Sequence, residues 1–226
     1  MASSGKTEGA CVFCGKRMGR GSMSRHLQTC ATRKAVIAAA DEQPGADETL
    51  IHLQVQDAAG GVFWMHLEMR GSATLKKLDE YLRAIWLECC GHLSRFSHGG
   101  WGGQEIAMDR SAKDALGEGV TLTHIYDFGS SSQTTVKVVA ARQGRPLSRH
   151  PILLMARNEM PSAGCAECGE PGARLCLECM EEMKDAVLCE AHAATHPHED
   201  FGEPVPLVNS PRLGICGYTG PAKPPY

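Results

Sequence analysis

The stretch "LIHLQVQDAAGGVFWMHLEMR", residues Leu50–Arg70, decides the fold of the largest part of this chain. Apolar and polar residues alternate from Ile51 to Gln56 and again from Phe63 to Arg70, and "DAAGG" separates the two runs. Alternation with a period of two is typical of β-strands, and a glycine-containing spacer between two such runs indicates a turn. The stretch therefore predicts a β-hairpin.

The residues after the hairpin change to a helical period. Apolar side chains recur at Leu75, Leu78, Leu82, Ile85, Trp86 and Cys89. This spacing is typical of one face of an amphipathic helix of about four turns. Further strands are predicted in "VTLTHIYDFG", "TTVKVVAAR" and "PILLMARN". The pattern predicts an α+β domain, with a central mixed or antiparallel sheet and one long helix.

Three segments of this domain carry a family resemblance. "TLKKLDEYLRAIW", "HLSRFSHGG" and "GVTLTHIYDFGSSSQTTVKVV" resemble the plasmid pRiA-type ORF-three-like family. The resemblance implies an α+β fold and an ancestry among plasmid-borne or mobile genes, and it implies no chemistry. Many relatives carry Asp and Trp where this chain has Ser130 and Ser132.

A first cysteine and histidine cluster lies near the amino terminus, in "CVFCGKRMGRGSMSRHLQTC". Two cysteines two residues apart form a knuckle, and a His and a Cys four residues apart share one face of a helix. This spacing predicts one zinc ion, whose binding supplies the folding free energy of a short module. The segment resembles a C2HC zinc finger of the ββα type. The predicted ligands are Cys11, Cys14, His26 and Cys30.

The charge of the chain is unevenly distributed. Residues 1–40 carry seven Lys or Arg against one Glu, a charge of +6, so the remaining 186 residues carry −9 within the total of −3. A basic segment on an acidic body is typical of contact with a polyanion such as DNA or RNA. The expected contacts are Lys16, Arg17, Arg20, Arg25 and Arg33. The alternative is a structural or protein-binding finger with a solvated basic face.

A second, longer ligand series lies near the carboxyl terminus. Its eight cysteines and histidines form four pairs, enough for two zinc ions with four ligands each. Sequential pairing of the first four cysteines would join two knuckles only seven residues apart, so the spacing favours an interleaved arrangement.

The string "CAECGEPGARLCLECMEEMKDAVLCEAHAATHPHED" resembles a B-box zinc finger. That resemblance implies interleaving and a protein-interaction module. The implied ligands of one ion are Cys165, Cys168, Cys189 and His192. The implied ligands of the other are Cys176, Cys179, His196 and His198, and the one-residue gap between the two histidines is unusually tight. Three zinc ions are therefore expected in the whole chain. Cys89, Cys90 and Cys216 lie outside the clusters and are expected to be ordinary small hydrophobic residues.

These observations divide the chain into residues 1–45, a zinc finger and linker, residues 46–158, the α+β domain, and residues 159–226, a two-zinc module with an extended tail. No apolar run is long enough to cross a bilayer and no secretory signal is seen, so a cytoplasmic location without membrane contact is expected. The predicted function is a zinc-binding intracellular adaptor of plasmid or mobile-element ancestry. Its finger would contact nucleic acid and its carboxy-terminal module a protein.

The alternative is an unrecognised enzyme with its site in the α+β domain. No nucleophile elbow, P-loop, dinucleotide fingerprint or paired-carboxylate motif is present in the sequence. His92, His124 and Asp127 lie near predicted strand ends and could act in acid–base chemistry. Because such residues more often satisfy backbone groups, the sequence favours a protein that is not an enzyme.

Overall fold

The computed structural model describes residues 7–87, 90–198, 200–213, 218, 220 and 222–226. Its strands are β1 (Glu8–Cys11), β2 (Arg17–Gly19), β3 (Glu48–Asp57), β4 (Trp64–Arg70), β5 (Ser94–Ser97), β6 (Glu105–Ile106), β7 (Thr121–Tyr126), β8 (Ser132–Gly144), β9 (Ile152–Asn158), β10 (Arg174–Leu175), β11 (Val187–Leu188) and β12 (Val205–Pro206). Its α-helices are α1 (Arg20–Thr29), α2 (Ala31–Asp41), α3 (Leu75–Leu82), α4 (Ala112–Ala115), α5 (Leu177–Glu181) and α6 (Glu190–Ala193).

Nine of the described strands form one large antiparallel sheet in the order β2-β1-β9-β4-β3-β8-β7-β5-β6. The predicted hairpin is confirmed as β3 and β4, with Ile51 opposite Met69 and Leu53 opposite Leu67. A small second sheet has the order β11-β10-β12. The α+β prediction with a large antiparallel sheet therefore agrees with the structure.

The predicted single long helix is not confirmed. Helix α3 ends at Leu82 and continues as one turn of π-helix over Arg83–Leu87, while Glu88 and Cys89 lie outside the described residues. In an α-helix with one apolar face, the apolar residues recur every three or four positions. Ile85, Trp86 and Leu87 are consecutive and all fully buried. The wider turn therefore lies where the simple apolar period fails.

Both faces of the hairpin are covered. Ile51, Leu53, Met65 and Leu67 join the apolar side chains of α3 in the largest hydrophobic cluster. On the opposite face, Trp64 packs with residues of α1 and with Met155 of β9 in a second cluster. In an ordinary amphipathic hairpin this second face would meet solvent. Here α1 and α2 cover it, so both faces of the hairpin are buried.

The amino-terminal segment is joined to the large sheet. Strand β1 pairs with β9, with Gly9 opposite Asn158 and Cys11 opposite Ala156. A side chain at Gly9 would collide with the carbonyl oxygen of Arg157 and with the Trp64 ring, so this close approach requires glycine. The finger hairpin β1–β2 is therefore the edge of the central sheet.

The carboxy-terminal tail also contacts the central domain. The Ser210 hydroxyl donates a hydrogen bond to the carbonyl oxygen of Trp86, and the fully buried Arg212 pairs with Asp127 at 3.0 Å. Contacts thus cross residues 45 and 158, and the division of the chain at these positions stays a prediction. No helix in the described ranges has the length and apolarity needed to cross a membrane.

Candidate metal centres

The first centre is formed where the sheet edge meets α1. The turn between β1 and β2 places Cys11 and Cys14 together, with Gly15 N–H donating to the Cys11 carbonyl at 2.8 Å. Gly15 has a φ of 71°, a left-handed conformation that favours glycine. Helix α1 carries His26, and the Cys30 N–H that ends this helix donates to the His26 carbonyl at 2.7 Å. The sulfur of Cys14 lies 3.2 Å from Nε2 of His26.

The second centre repeats this turn. Gly169 N–H donates to the Cys165 carbonyl at 2.8 Å, and Gly169 has a φ of 75°. Cys189 precedes α6, and one turn of that helix brings His192 back to it, with 3.3 Å between Cys189 Sγ and His192 Nδ1. The sequence "CxxCG" therefore folds into the same knuckle at both ends of the chain.

The third centre is built around α5. Cys176 caps this helix, and its sulfur accepts a hydrogen bond from the Cys179 N–H at 3.4 Å. The segment after α6 returns His196 and His198 to the two sulfurs. Nε2 of His196 lies 3.3 Å from Cys179 Sγ, and Nδ1 of His198 lies 3.1 Å from the same atom. The tight gap between the histidines is accommodated because one ring presents Nε2 and the other presents Nδ1.

The donor atoms of each centre lie within 4.8 Å of one another. The three groups are Cys11, Cys14, His26 and Cys30; Cys165, Cys168, Cys189 and His192; and Cys176, Cys179, His196 and His198. These are the three predicted quartets, and the carboxy-terminal pairs are interleaved.

The distances between donor atoms test whether zinc fits. Tetrahedral geometry with the usual Zn–S and Zn–N bond lengths requires about 3.8 Å between two sulfurs, about 3.5 Å between sulfur and nitrogen, and about 3.3 Å between two nitrogens. The sulfurs of Cys168 and Cys189 lie 4.0 Å apart, and the ring nitrogens of His196 and His198 lie 3.3 Å apart. The sulfur–nitrogen distance is 3.2 Å in the first centre, and these distances are 3.1–3.6 Å in the other two. All three centres are compatible with a tetrahedral zinc whose four ligands come from the protein.

The local electrostatics favour thiolate at one cysteine of the first centre and at two of the second, Cys165 and Cys189. Burial works against the Cys165 thiolate, but the N–H groups of Cys189, Glu167 and Cys168 outweigh it and lower the pKa of Cys165 to about 6. The pKa of Cys30 is also lowered, because the N–H of Arg33 and the neighbouring sulfurs outweigh burial. Zinc binds the thiolate form of cysteine, so these shifts prepare the sulfurs for metal.

The structure separates the five basic residues predicted to contact nucleic acid. Arg33 is buried and donates to Glu68 at 2.8 Å and to the Leu27 carbonyl at 2.9 Å, so it is not presented to a phosphate. Arg20 is half-buried and donates to the Gly61 carbonyl at 3.0 Å. Arg17 is exposed and pairs with Glu159. Lys16 and Arg25 are exposed, with no ion pair among the described residues.

The three residues of the enzyme alternative contact other side chains of the central domain. His124 is fully buried and faces Asp79 at 2.7 Å. His92 lies 3.6 Å from Asp127, whose carboxylate is occupied by Arg212 and by the Gly129 N–H. Asp79, Arg212 and the Gly129 N–H thus provide contacts for these side chains within the fold.

Several important residues were not predicted from the sequence. Arg212 and Asp79 are buried in ion pairs, with Asp79 also accepting from Arg83 at 2.7 Å. Burial alone would raise the pKa of Asp79, but the hydrogen bonds with His124, Ser94 and Arg83 outweigh burial and lower this pKa to about 2. A methionine-lined cavity beside the third centre was also missed. Its walls come from distant parts of the chain, so no local pattern indicated it.

Three cysteines lie outside the metal centres, and the structure describes one of them. Cys90 is exposed, in contrast to the expected burial of a small hydrophobic residue, while Cys89 and Cys216 lie outside the described residues.

Comparison with known proteins assigns the chain to no family. No protein-family model matches it, and no curated protein matches it. The chain is similar to the crystal structure of a protein of unknown function from Methanosarcina mazei Go1, at 16% sequence identity and a TM-score of 0.44, over 68% of this chain and 86% of that chain. This likeness assigns no activity to either protein. The resemblance of the central domain to the plasmid pRiA-type ORF-three-like family is unconfirmed.

Proposed function

We propose that this protein is a zinc-binding adaptor, which contacts nucleic acid through its basic amino-terminal surface and a protein through its acidic carboxy-terminal module. The observation that carries the proposal is the convergence of three Cys/His quartets, each with four protein donors. A closed tetrahedral site leaves no position for water, so zinc would serve structure and not catalysis. Three such structural centres therefore support a protein that acts by presenting binding surfaces to other molecules.

The amino-terminal surface is suited to phosphate and not to base reading. Lys16 and Arg25 are exposed, and the exposed Arg17 is held by Glu159. Base-specific contact normally needs several side chains on one helix, whereas phosphate contact needs only accessible positive charge. Contact through two or three charges gives weak binding, with a slope of about −2 to −3 in a plot of log K against log salt for duplex DNA.

Retention of mixed DNA and RNA by the full-length, zinc-loaded protein tests this contact across a salt series. The double variant Lys16→Glu/Arg25→Glu should lose most retention and lower the salt slope by about two. Lys76→Glu/Lys113→Glu makes the same change in net charge at exposed positions of the central domain, and it should retain nucleic acid like the wild type. Equal retention by both double variants would contradict contact through the amino-terminal surface.

Full-length variants are required because removal of residues 1–45 would strip the edge of the large sheet. Strand β9 would lose its partner β1, and Trp64 would lose the α1 side chains that cover it. A truncated chain could therefore fail to bind for reasons of folding.

The carboxy-terminal module differs in charge. Residues 159–203 contain eleven Asp or Glu against Arg174 and Lys184, a charge of −9. A segment of this charge repels nucleic acid phosphates. The module therefore supports contact with a protein in preference to DNA or RNA.

A further inference from the structure

A cavity of about 240 Å³ lies where the carboxy-terminal module meets the turn of the central hairpin. Its walls are apolar except for Lys184. Leu175 and Ala186 come from the module, Phe63 from the start of β4, and three methionines complete the rim. These methionines are Met160, Met180 and Met183. Methionine is flexible and polarisable, and it is enriched at surfaces that accept varied apolar partners.

The backbone of Met183 closes the C-terminal end of α5, with Met183 N–H donating to the Met180 carbonyl at 3.1 Å and Lys184 N–H to the Cys179 carbonyl at 2.8 Å, but its side chain is not explained by packing. Its side chain is 86% exposed, so it contributes little to the core. Its backbone has a φ of 58°, at the end of α5, where glycine or asparagine is the usual residue. An apolar side chain that is exposed at the mouth of a cavity, at a cap position where glycine is usual, supports a role in binding. Met160 is also 37% exposed at the same rim.

The volume of the cavity limits what can enter it. A cavity of about 150 Å³ accepts benzene, whereas pockets for cofactors and drug-sized ligands occupy roughly 300–1,000 Å³. At about 240 Å³ this cavity suits one large apolar side chain. The size therefore favours a peptide anchor over a cofactor.

The charge around the cavity indicates what surrounds that anchor. The segment "ECMEEMKD", residues 178–185, carries four carboxylates and one ammonium, and this ammonium, on Lys184, already pairs with Glu182 at 2.8 Å. Glu181 is exposed and lies between Met180 and Met183 in the sequence. With the charge of Lys184 offset by Glu182, the segment keeps a net charge of −3. A methionine-lined cavity beside a segment of this charge is complementary to a basic amphipathic peptide.

We propose that this cavity docks a basic amphipathic segment of a partner protein, with one large apolar side chain between Met180, Met183 and Phe63 and with Lys or Arg beside Glu181. The inference deepens the proposed protein contact and rests on it. It names the chemistry of the partner and the part of the module that binds it.

Fluorescence anisotropy of a labelled helical peptide tests the proposal with the full-length, zinc-loaded protein. The peptide carries Leu and Trp on one face and Lys on the other. One control peptide has Glu in place of Lys, and another has Ala in place of Leu and Trp. The wild-type protein should bind the first peptide at least tenfold more tightly than either control.

Met183→Gly removes the rim side chain and is compatible with the observed φ, so the variant should fold. It should weaken binding at least fivefold. Glu181→Lys should weaken it about threefold and reduce its salt dependence. The matched control is Leu93→Ala, since Leu93 is another apolar residue that is 71% exposed and does not line the cavity. Unchanged zinc content in each variant confirms that the third centre is intact.

Equal binding by the wild type and Met183→Gly would overturn the cavity proposal and leave protein contact by another face of the module standing. No binding of the Lys peptide, or equal binding of the Glu peptide, would also overturn it. The zinc content and the nucleic acid retention described above judge the proposed adaptor function separately, so the two failures are distinguishable.

Discussion

The first metal centre and the two carboxy-terminal centres are all built from four Cys and His side chains, yet they are supported differently. The first is anchored to the nine-stranded sheet through β1 and β9, and Trp64 and Met155 pack beneath its helix. The carboxy-terminal centres stand on a three-stranded sheet whose strands have two residues each. Three of the six buried residues in that hydrophobic cluster are cysteine ligands.

This difference shows what holds each region together. A small module buries too little apolar surface to fold alone, and its metal then supplies the folding free energy. Where the ligands themselves form the core, loss of the metal removes the bonds that hold that core together. Where a large sheet supports the ligands, loss of the metal leaves most of the packing in place.

Removal of zinc should therefore have the largest effect, and an unequal one. Binding of a structural zinc contributes about 10–16 kcal/mol. A chelator should unfold residues 164–198 completely, while the amide protons of β1 and β9 should stay protected. Hydrogen exchange followed by mass spectrometry measures both regions in one sample. Equal loss of protection in the two regions would contradict the comparison.

Trp64→Ala should have the next largest effect, by loosening the first centre. Trp64 is fully buried against α1, and its indole N–H donates to the Thr7 hydroxyl at 2.9 Å. Truncation of a buried tryptophan costs about 3–5 kcal/mol. Urea denaturation should show this loss, and exchange should rise in β1 with no change in β10. Trp101→Ala, at a 43% exposed position, is the matched control.

Acid should lower the stability of the first region, meaning the first metal centre and the part of the large sheet beneath it, through a buried histidine pair. His52 and His66 lie 2.9 Å apart on the face beneath α1 and α2. Burial, with the charges of His66 and Arg33, lowers the pKa of His52 to about 3, and burial lowers the pKa of His66 to about 4. Both pKa values in the folded protein lie below the value of about 6.5 in the unfolded chain. Between these values the unfolded chain binds more protons than the folded protein does. Stability should fall as the pH drops from about 6.5 toward 4.

The expected slope is about 1.4 kcal/mol per pH unit for each histidine. His52→Gln/His66→Gln should flatten it, as measured by urea denaturation at several pH values. Zinc ligands also bind protons in acid, but they are common to both proteins, so the difference between the two slopes isolates the buried pair. Identical slopes would contradict a role for these histidines.

Arg17→Ala should have the smallest effect. Arg17 and Glu159 form an ion pair between β2 and the end of β9, with both side chains about half exposed. Exposed ion pairs contribute less than about 1 kcal/mol. The variant should keep its midpoint in urea nearly unchanged, which would show that the first region is anchored by strand pairing and Trp64. A loss above about 2 kcal/mol would assign that anchoring to the ion pair.

Local patterns in the sequence predicted the parts of the molecule that depend on near neighbours. The alternation in "LIHLQVQ" and "VFWMHLEM" predicted the central hairpin, since side chains alternate between the faces of a strand. The ligand spacing predicted the first quartet, because a knuckle and a helical turn place donors at fixed separations. For the carboxy-terminal series the spacing favoured interleaving, and the resemblance to a B-box implied the two quartets. The π-helical turn at Arg83–Leu87 was not predicted, because the apolar period alone does not reveal three consecutive buried side chains.

The sequence by itself determined which residues can bind metal and which strands form the hairpin, because both depend on spacings of a few residues. Only the tertiary structure decided that the finger is the edge of the central sheet, since β1 and β9 are far apart in the chain. That docking covers the second face of the hairpin, and it turns Arg33 from an expected phosphate contact into the buried partner of Glu68. The methionine-lined cavity has the same origin, because Phe63, Met160 and Met183 meet only when separate elements pack together.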